Sequence, residues 1–247
     1  EVFGSNKALW FSPSGNKLAF GYFDDSQTPI ITIPFYGYPG SMSFQYTTAI
    51  SIHYPKVSVS NQGGEGERRE WHDQSYGEAV LRRLRESDPS GTTNPTVKLF
   101  YVDLEKVIQG NTNLTEIEHP NKLSTEERIL SAVAFPTDNL VYATWMNRVQ
   151  NRAYFHFCYV HGHLPNCTTA LTHIESHGWV EQFEPPMFSD DGDTFLTILP
   201  KKQHDGSYWR HAVAITNVSS TTPRKTALTS GRFVVTEIVS WDQKKSY

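Results

Sequence analysis

The sequence predicts an all-β protein, and three observations support this fold class. Aromatic residues make up 13% of the 247 residues, as 12 Tyr, 14 Phe and 6 Trp, and such residues are enriched in strands. The 16 Gly and 14 Pro are scattered along the chain, as expected of many short strands joined by turns. A motif of aromatic, turn and aromatic residues also recurs, and its spacing bears on the architecture.

The recurring motif is a strand, a tight turn and a second strand. It begins at Trp10 as WFSPSGNKLAF and again at Met187 as MFSDDGDTFL. Glycine supplies the positive φ of the turn, and the flanking apolar residues let two neighbouring strands bury one face. A weaker copy, AFPTDNLVY from Ala134, has Asn139 at the glycine position, and asparagine also tolerates that conformation.

The spacing of the copies predicts part of a β-propeller. Phe135 and Phe188 are 53 residues apart, and another such step reaches the region of Trp241. This period suits one four-stranded blade, so roughly four blades fit in a single domain that covers residues 1–247. Similar motifs also occur in two-sheet sandwiches, and periodicity alone leaves that alternative open.

One segment departs from the repeat pattern. From Gly63 to Asp88, seven acidic and five basic residues occur among 26. So high a charge density leaves little apolar area to bury, so we interpret the segment as a solvated, disordered insertion. The alternative is a short docking helix from Glu78 to Glu86, whose apolar stripe would be Ala79, Val80, Leu81 and Leu84.

Charge and modification motifs bear on partners and compartment. The net charge is −4 and there is no long basic run, so neither nucleic acid nor an anionic membrane is an expected partner. No run of 18 apolar residues and no signal peptide occur, and the missing initiator Met indicates a processed product or a fragment. Three N-x-S/T sequons, at Asn113, Asn166 and Asn217, predict glycosylation and therefore secretion.

Five further motifs follow one another in a distinctive order. They are ALWFSP from Ala8, PFY from Pro34, YPK from Tyr54, NPTVKLF from Asn94 and GWV from Gly178. Together they resemble consecutive landmarks in the propellers of the dipeptidyl peptidase IV family, over nearly the whole chain. Members of that family pair an eight-bladed propeller with an α/β-hydrolase domain. The resemblance therefore implies a partial propeller, with about four of the eight four-stranded blades.

The resemblance also implies a function. Family enzymes release dipeptides with a penultimate proline or alanine from peptides that have a free N-terminus, without a cofactor. This chain would be the substrate-gating part of such an extracellular serine exopeptidase, either secreted or the ectodomain of a membrane-anchored protein. It has no G-x-S-x-G nucleophile elbow, so no catalytic residue is assigned. The alternatives are a non-enzymatic extracellular homologue that binds a protein partner and an intracellular propeller scaffold.

Two substrate-binding residues follow from the resemblance. Glu1-Val2-Phe3 matches the end of a family motif of glutamates before Val-Phe, and Glu1 would be one of two carboxylates that bind the substrate ammonium. A solvated terminal glutamate is the alternative. Phe183 aligns with a phenylalanine that lines the extended substrate path, whereas a buried core aromatic is its alternative. Glu184 follows where one well-known enzyme of the family has an arginine, and this reversal of charge argues against contact with an anionic group there.

The two cysteines, Cys158 and Cys167, have two mutually exclusive interpretations. With His161 and His163 between them, they form a Cys-x₂-His-x-His-x₃-Cys cluster of a kind that holds zinc. A disulfide instead suits the oxidising compartment that the sequons indicate and the two strands of a hairpin. The resemblance also implies a bridged pair here, so we predict a disulfide and no metal.

The resemblance has one more implication and one exception. The segment from Phe23 to Tyr54 resembles the arm through which family propellers help form homodimers, so a homodimer of the complete enzyme is expected. Family members usually pass from YPK to NPTV within a few residues, so residues 57–93 are an atypical insertion. It is either a lineage-specific loop or a gene-model error such as a retained intron.

Overall fold

The computed structural model describes residues 7–35, 48–53, 93–161, 164–176, 178–180, 184–220 and 222–244. The regular secondary structure of these residues is almost entirely β, which confirms the predicted fold class. The helices among them are one short α-helix, α1 (Leu104–Ile108), and one 3₁₀ turn (Asn121–Leu123). Neither is long and apolar enough to cross a membrane.

Fourteen strands are present in the described part of the chain. In chain order they are β1 (Leu9–Phe11), β2 (Lys17–Asp24), β3 (Ile30–Phe35), β4 (Thr48–His53), β5 (Thr96–Asp103), β6 (Thr115–Ile117), β7 (Arg128–Thr137), β8 (Leu140–Asn147), β9 (Arg152–Tyr159), β10 (Asn166–Ile174), β11 (Met187–Phe188), β12 (Thr194–Lys202), β13 (Tyr208–Thr216) and β14 (Arg224–Ala227).

The strands form three four-stranded sheets and one two-stranded sheet. Sheet I has the order β1-β2-β5-β6, sheet II the order β7-β8-β9-β10 and sheet III the order β11-β12-β13-β14. Sheets II and III are thus simple meanders, in which each strand pairs with the next one in the chain. The pair β3-β4 is separate and belongs to a compact unit of its own, Phe23–Thr96, while Glu1–Tyr22 and Val97–Tyr247 form the other unit.

Each copy of the repeated motif forms the first hairpin of a four-stranded sheet. The cross-strand pairs Trp10↔Ala19, Ala134↔Tyr142 and Phe188↔Phe195 lie in β1-β2, β7-β8 and β11-β12. Gly15 and Gly192 close two of these turns with φ of 77° and 72°. The expectation that Asn139 takes the same conformation is wrong, because its φ is not positive and the register of β7 and β8 shifts just before the turn.

Sheet II lies between two hydrophobic cores, and its inner strands β8 and β9 are therefore buried on both faces. On β8, Val141, Ala143 and Trp145 belong to a core shared with sheet I. Leu140, Tyr142 and Met146 alternate with them and belong to a core shared with sheet III. All eight residues of β8 are buried. Four-stranded meanders that pack face to face in chain order are successive propeller blades, which confirms the predicted partial propeller.

Aromatic rings dominate the core between sheets II and III. Phe155 of β9 stacks on Phe195 of β12, with ring centroids 5.7 Å apart and planes 12° apart. Phe157 lies 5.5 Å from the same ring, and Tyr142 packs at 5.0 Å from Phe188. Such pairs contribute about 0.5–1.5 kcal/mol each beyond the area that they bury. This core fixes sheet III against sheet II.

Turns at one end of the sheets are linked by hydrogen bonds. The backbone N–H of Ser14, in the β1-β2 turn, donates to Asp138 Oδ1 at 2.8 Å in the β7-β8 turn. Lys17 Nζ donates to Asn139 Oδ1 at 2.6 Å. The hydrogen bond from Ser14 lowers the pKa of Asp138. Because these groups are exposed to water, the links set the alignment of neighbouring sheets more than their stability.

The β3-β4 hairpin carries a row of isoleucines on one face. Ile31 lies opposite Ile52 and Ile33 opposite Ile50, and directly paired residues of antiparallel strands share a face. The side chains of Ile33 and Ile50 are 46% and 47% exposed. At the base of the hairpin, His53 Nδ1 forms a hydrogen bond with the carbonyl oxygen of Thr28 at 2.9 Å. The hairpin thus presents apolar surface to the solvent.

Candidate functional site

The two residues assigned to substrate binding, Glu1 and Phe183, lie outside the described residues, as does the charged segment Gly63 to Asp88. Their surroundings are partly described. Residues 178–180 precede Phe183 and Glu184 follows it. The described part of the candidate site therefore consists of the elements on either side of Phe183.

Trp179 is held at the surface by the residue that follows it. Val180 is buried in the core between sheets II and III, and its N–H donates to the carbonyl oxygen of Gln150 at 2.7 Å. Gln150 lies in the β8-β9 turn with a φ of 59°. Because Val180 is fixed in this way, the indole of Trp179 projects outward and is 68% exposed. An exposed, positioned tryptophan is suited to contact a ligand.

A cavity of about 630 Å³ opens beside Trp179. Its lining includes Ile198 of β12, Arg210 of β13 and the two carboxylates of Glu184 and Glu237. On β12, Phe195 and Leu199 point into the core with sheet II, so the cavity lies on the other face of sheet III. An aromatic ring, a guanidinium and two carboxylates can together bind both charged and amide groups of a peptide.

Cys158 and Cys167 form a disulfide in this structure. Cys158 lies on β9 directly opposite Cys167 on β10, so the bond joins two paired strands of sheet II. Bonded sulfurs are not thiolates and do not bind zinc. Of the two histidines in the zinc interpretation, His163 lies outside the described residues, and His161 is exposed.

His156, which sequence reasoning missed, is the histidine that lies beside the sulfurs. One of its ring nitrogens is within 4.8 Å of both sulfur atoms. The side chain is buried, and Nδ1 lies 3.0 Å from Thr169 Oγ1 across the strand pair. The sequence does contain a signal for this position, because His156 stands two residues before Cys158 and alternate residues of a strand share a face.

Burial holds His156 in its neutral form. Loss of solvation is the main cause that lowers its pKa to about 4, and the nearby His119 lowers it further. The backbone of Glu118 opposes this shift by favouring the protonated ring. Within the described residues, however, no group meets hydrogen-bond geometry with Nε2. His156 is therefore a neutral imidazole at pH 7, and its buried Nε2 has no hydrogen-bond partner of good geometry among the residues that the structure describes.

The asparagines of all three sequons are exposed. Asn113 lies just before β6, Asn166 is the first residue of β10, and Asn217 follows β13 with a φ of 58°. Strands β6 and β10 are edge strands of sheets I and II. A glycan at any of these positions would project into solvent without disturbing a core.

Comparisons with known proteins find relatives that are named dipeptidyl peptidases. The chain is 28% identical over 249 residues to the venom dipeptidyl peptidase 4 of Apis mellifera, covering 100% of this chain and 26% of that protein. It is 27% identical over 249 residues to the inactive dipeptidyl peptidase 10 of Rattus norvegicus, covering 98% of this chain and 25% of that protein. The chain thus spans about a quarter of the length of these curated relatives.

A solved structure and a family model agree with these relatives. The crystal structure of Porphyromonas gingivalis dipeptidyl peptidase 4 matches with a TM-score of 0.65 at 18% identity, over 98% of this chain and 27% of that one. At that identity the match supports the fold alone. The family model described as dipeptidyl peptidase IV (DPP IV) N-terminal region matches residues 1–63 and 89–247. The predicted resemblance is confirmed, and the chain belongs to the dipeptidyl peptidase IV N-terminal region family.

Proposed function

We propose that this chain is the substrate-gating propeller region of an extracellular serine exopeptidase that releases Xaa-Pro and Xaa-Ala dipeptides from the N-termini of peptides. The observation that carries the proposal is the family match over residues 1–63 and 89–247. Three four-stranded sheets packed in succession supply the corresponding architecture. Since the chain covers about a quarter of its relatives, the activity is proposed for the full-length protein.

In this proposal, the propeller selects substrates by their free N-terminus. The carboxylate of Glu1, with a second glutamate before it, would accept charge-assisted hydrogen bonds from the substrate ammonium. This contact fixes the position of the peptide relative to its N-terminus, and it excludes chains without a free amino group. Phe183 would line the path beyond it. The neighbouring cavity supports this position, because Trp179, Glu184 and Arg210 supply the ring and the charges that a peptide can contact.

The Glu184 carboxylate makes the path of this protein distinct. The resemblance places an arginine of one family enzyme at the matching position, whereas here two glutamates, Glu184 and Glu237, line the cavity. A carboxylate repels anionic groups and attracts cationic ones. We therefore expect the extended path to disfavour peptides with acidic residues beyond the cleaved dipeptide.

An extracellular location and a homodimer are part of the same proposal. The disulfide between Cys158 and Cys167 suits an oxidising compartment, and the exposed sequon asparagines suit glycosylation. One relative is named as a venom protein. The isoleucine row of the β3-β4 hairpin offers apolar surface within the segment Phe23 to Tyr54 that would form the dimer arm.

A non-enzymatic role is the second candidate, and one observation favours keeping it. The rat relative is named inactive dipeptidyl peptidase 10, and it matches 98% of this chain at 27% identity, close to the identity of the named enzyme. The propeller alone is therefore compatible with both roles. In the second role the full-length protein would bind a protein partner and release no dipeptide.

The test is hydrolysis of a Gly-Pro chromogenic substrate by the full-length protein, secreted from eukaryotic cells. Wild type should release the chromophore, and an N-acetylated substrate should remain intact. Replacing Glu1→Gln should lower kcat/KM by the equivalent of about 2–5 kcal/mol, because a desolvated ammonium loses one charged partner. The control Glu65→Gln, in the segment outside the family match, should leave kcat/KM unchanged.

Each outcome has a separate meaning. Full activity of Glu1→Gln would refute the role of Glu1 while leaving the enzyme assignment in place. Absence of hydrolysis by a folded, glycosylated wild-type protein would refute the exopeptidase and favour the binding role. Thermal unfolding of both variants should match wild type, which separates recognition from stability.

A further inference from the structure

A buried cluster on sheet II combines three groups that bind soft metals. His156 and Cys158 lie on β9, and Cys167 lies opposite Cys158 on β10. We propose that reduction of the disulfide turns this cluster into a binding site for a soft divalent cation such as Zn²⁺. The oxidised chain would not bind the metal there, so the site would be gated by thiol–disulfide exchange.

The donor atoms lie close together, but the two sulfurs are covalently bonded in the oxidised chain, so reduction must let them separate to the spacing that zinc requires. A tetrahedral site with Zn–S near 2.3 Å and Zn–N near 2.05 Å places two sulfurs about 3.8 Å apart and nitrogen about 3.6 Å from each sulfur. In the structure a ring nitrogen of His156 lies within 4.8 Å of both sulfurs. Movements of about 1 Å, within the reach of side-chain rotation, complete the three-ligand set.

A second, independent observation is the state of the His156 ring. Nδ1 is paired with Thr169 Oγ1 at 3.0 Å, and Thr169 lies directly opposite His156 on β10. Within the part of the chain that the structure describes, Nε2 has no hydrogen-bond partner although it is buried. Ligating histidines commonly have one nitrogen held by a neighbour and the other left for the metal.

The two sulfurs differ in solvent exposure, and this difference determines which of them a reductant attacks. Cys158 is 1% exposed, whereas Cys167 is partly exposed on the edge strand β10. A trialkylphosphine, the reductant of the test, would attack Cys167 Sγ. The phosphorus–sulfur bond forms, the sulfur–sulfur bond breaks, and its electron pair leaves with Cys158 Sγ, which takes up a proton. Water then hydrolyses the phosphonium adduct to a phosphine oxide and the Cys167 thiol.

Metal binding then competes with reoxidation. Zn²⁺ displaces one proton from each thiol and binds two thiolates together with the neutral imidazole. Because only the reduced form would bind, free Zn²⁺ at one hundred times its Kd shifts the equilibrium toward the reduced form by about 100-fold. The redox state of the bridge and the metal would therefore control each other.

The experiment uses Co²⁺ as a spectroscopic probe and the full 247-residue chain. The chain is reduced with the phosphine, which is then removed under anaerobic conditions. Before the titration, the circular dichroism spectrum of the reduced chain is compared with that of the oxidised chain to show that the fold is retained. We expect stoichiometric Co²⁺ binding with a thiolate charge-transfer band and the strong visible bands of tetrahedral cobalt, displaced by Zn²⁺. The oxidised chain should show neither band.

Matched variants separate this site from adventitious binding. His156→Gln should weaken Co²⁺ binding at least about 10-fold, and Thr169→Val should weaken it less by freeing the ring. His161→Gln removes an exposed histidine close in sequence and should change nothing. Equal binding by wild type and His156→Gln, a lack of the charge-transfer band, or loss of native structure on reduction would each overturn the proposal.

Discussion

Gly192 provides a direct test of how sheet III packs on sheet II. It closes the β11-β12 turn with a φ of +72°, a conformation that residues with a Cβ rarely adopt. A Cβ built on Gly192 would lie 2.8 Å from Leu140 Cδ2 and 3.3 Å from Thr137 Cγ2. Leu140 is 1% exposed within the core between the two sheets, so it has little room to move.

The equivalent glycine of sheet I is a matched control. Gly15 closes the β1-β2 turn with a φ of +77°, and nothing lies within 4 Å of a Cβ built there. Alanine at Gly15 therefore costs only the left-handed backbone, about 1–2 kcal/mol. Alanine at Gly192 adds overpacking of about 1–3 kcal/mol, for a total of about 2–5 kcal/mol. The difference between the variants isolates the contact between the sheets.

Equilibrium unfolding in urea measures both losses, with the disulfide intact and tryptophan fluorescence as the probe. We expect Gly192→Ala to lower the midpoint clearly more than Gly15→Ala, at an unchanged m-value. Equal losses for the two variants would refute the reasoning, because both share the backbone cost and only Gly192 faces Leu140. A larger loss for Gly15→Ala would contradict the assigned packing of the sheets.

Buried and exposed groups lead to two more predictions. The pKa of His156 is about 4 in the folded chain and about 6.5 unfolded, so the unfolded state binds more protons between these values. The contribution of His156 to the free energy of unfolding should therefore fall by up to about 3 kcal/mol as pH drops from about 6.5 to 4. The pKa of His119 is also lowered, so wild type must be compared with His156→Gln. The free energy of unfolding should depend less steeply on pH in His156→Gln than in wild type. An equal dependence in both proteins would contradict the prediction. Separately, glycans on Asn113, Asn166 and Asn217 after secretory expression should each disappear with the matching Asn→Gln change, and intact-mass analysis that finds any of the three unmodified would contradict that site.

Local signals in the sequence were sufficient to predict the all-β class and its hairpins, whereas the choice of a propeller over a two-sheet sandwich also depended on the family resemblance. The turns at Gly15 and Gly192 are encoded within a few residues, and the flanking aromatic residues mark the strands on either side. The interval between Phe135 and Phe188 then gave the size of one sheet. Asn139 was the exception, because its turn depends on a register shift between β7 and β8 that no local motif announces.

The candidate sites were harder to predict, because they depend on which residues share a face. Sequence proximity singled out His161 and His163 as partners of the cysteines, whereas the structure places His156 there. Strand alternation contains that information only once the bounds of β9 are known. The cavity beside Trp179 was not predicted at all, since it combines residues of β12 and β13 with Glu237, which is distant in the chain.

The two faces of β9 explain how sheet II can carry both a core and a changeable bond. Phe155 and Phe157 point toward sheet III and hold the aromatic core, whereas His156 and Cys158 lie on the opposite face. The disulfide closes a loop with a sequence separation of nine, which contributes about 2.7 kcal/mol in the chain-entropy model. Replacing one buried phenylalanine by alanine costs about 3–5 kcal/mol. The phenylalanine core thus contributes more to stability than the disulfide, and it lies on the other face of β9. Cleavage of the disulfide should therefore leave the contact between sheets II and III intact, as the proposed redox-gated metal site requires.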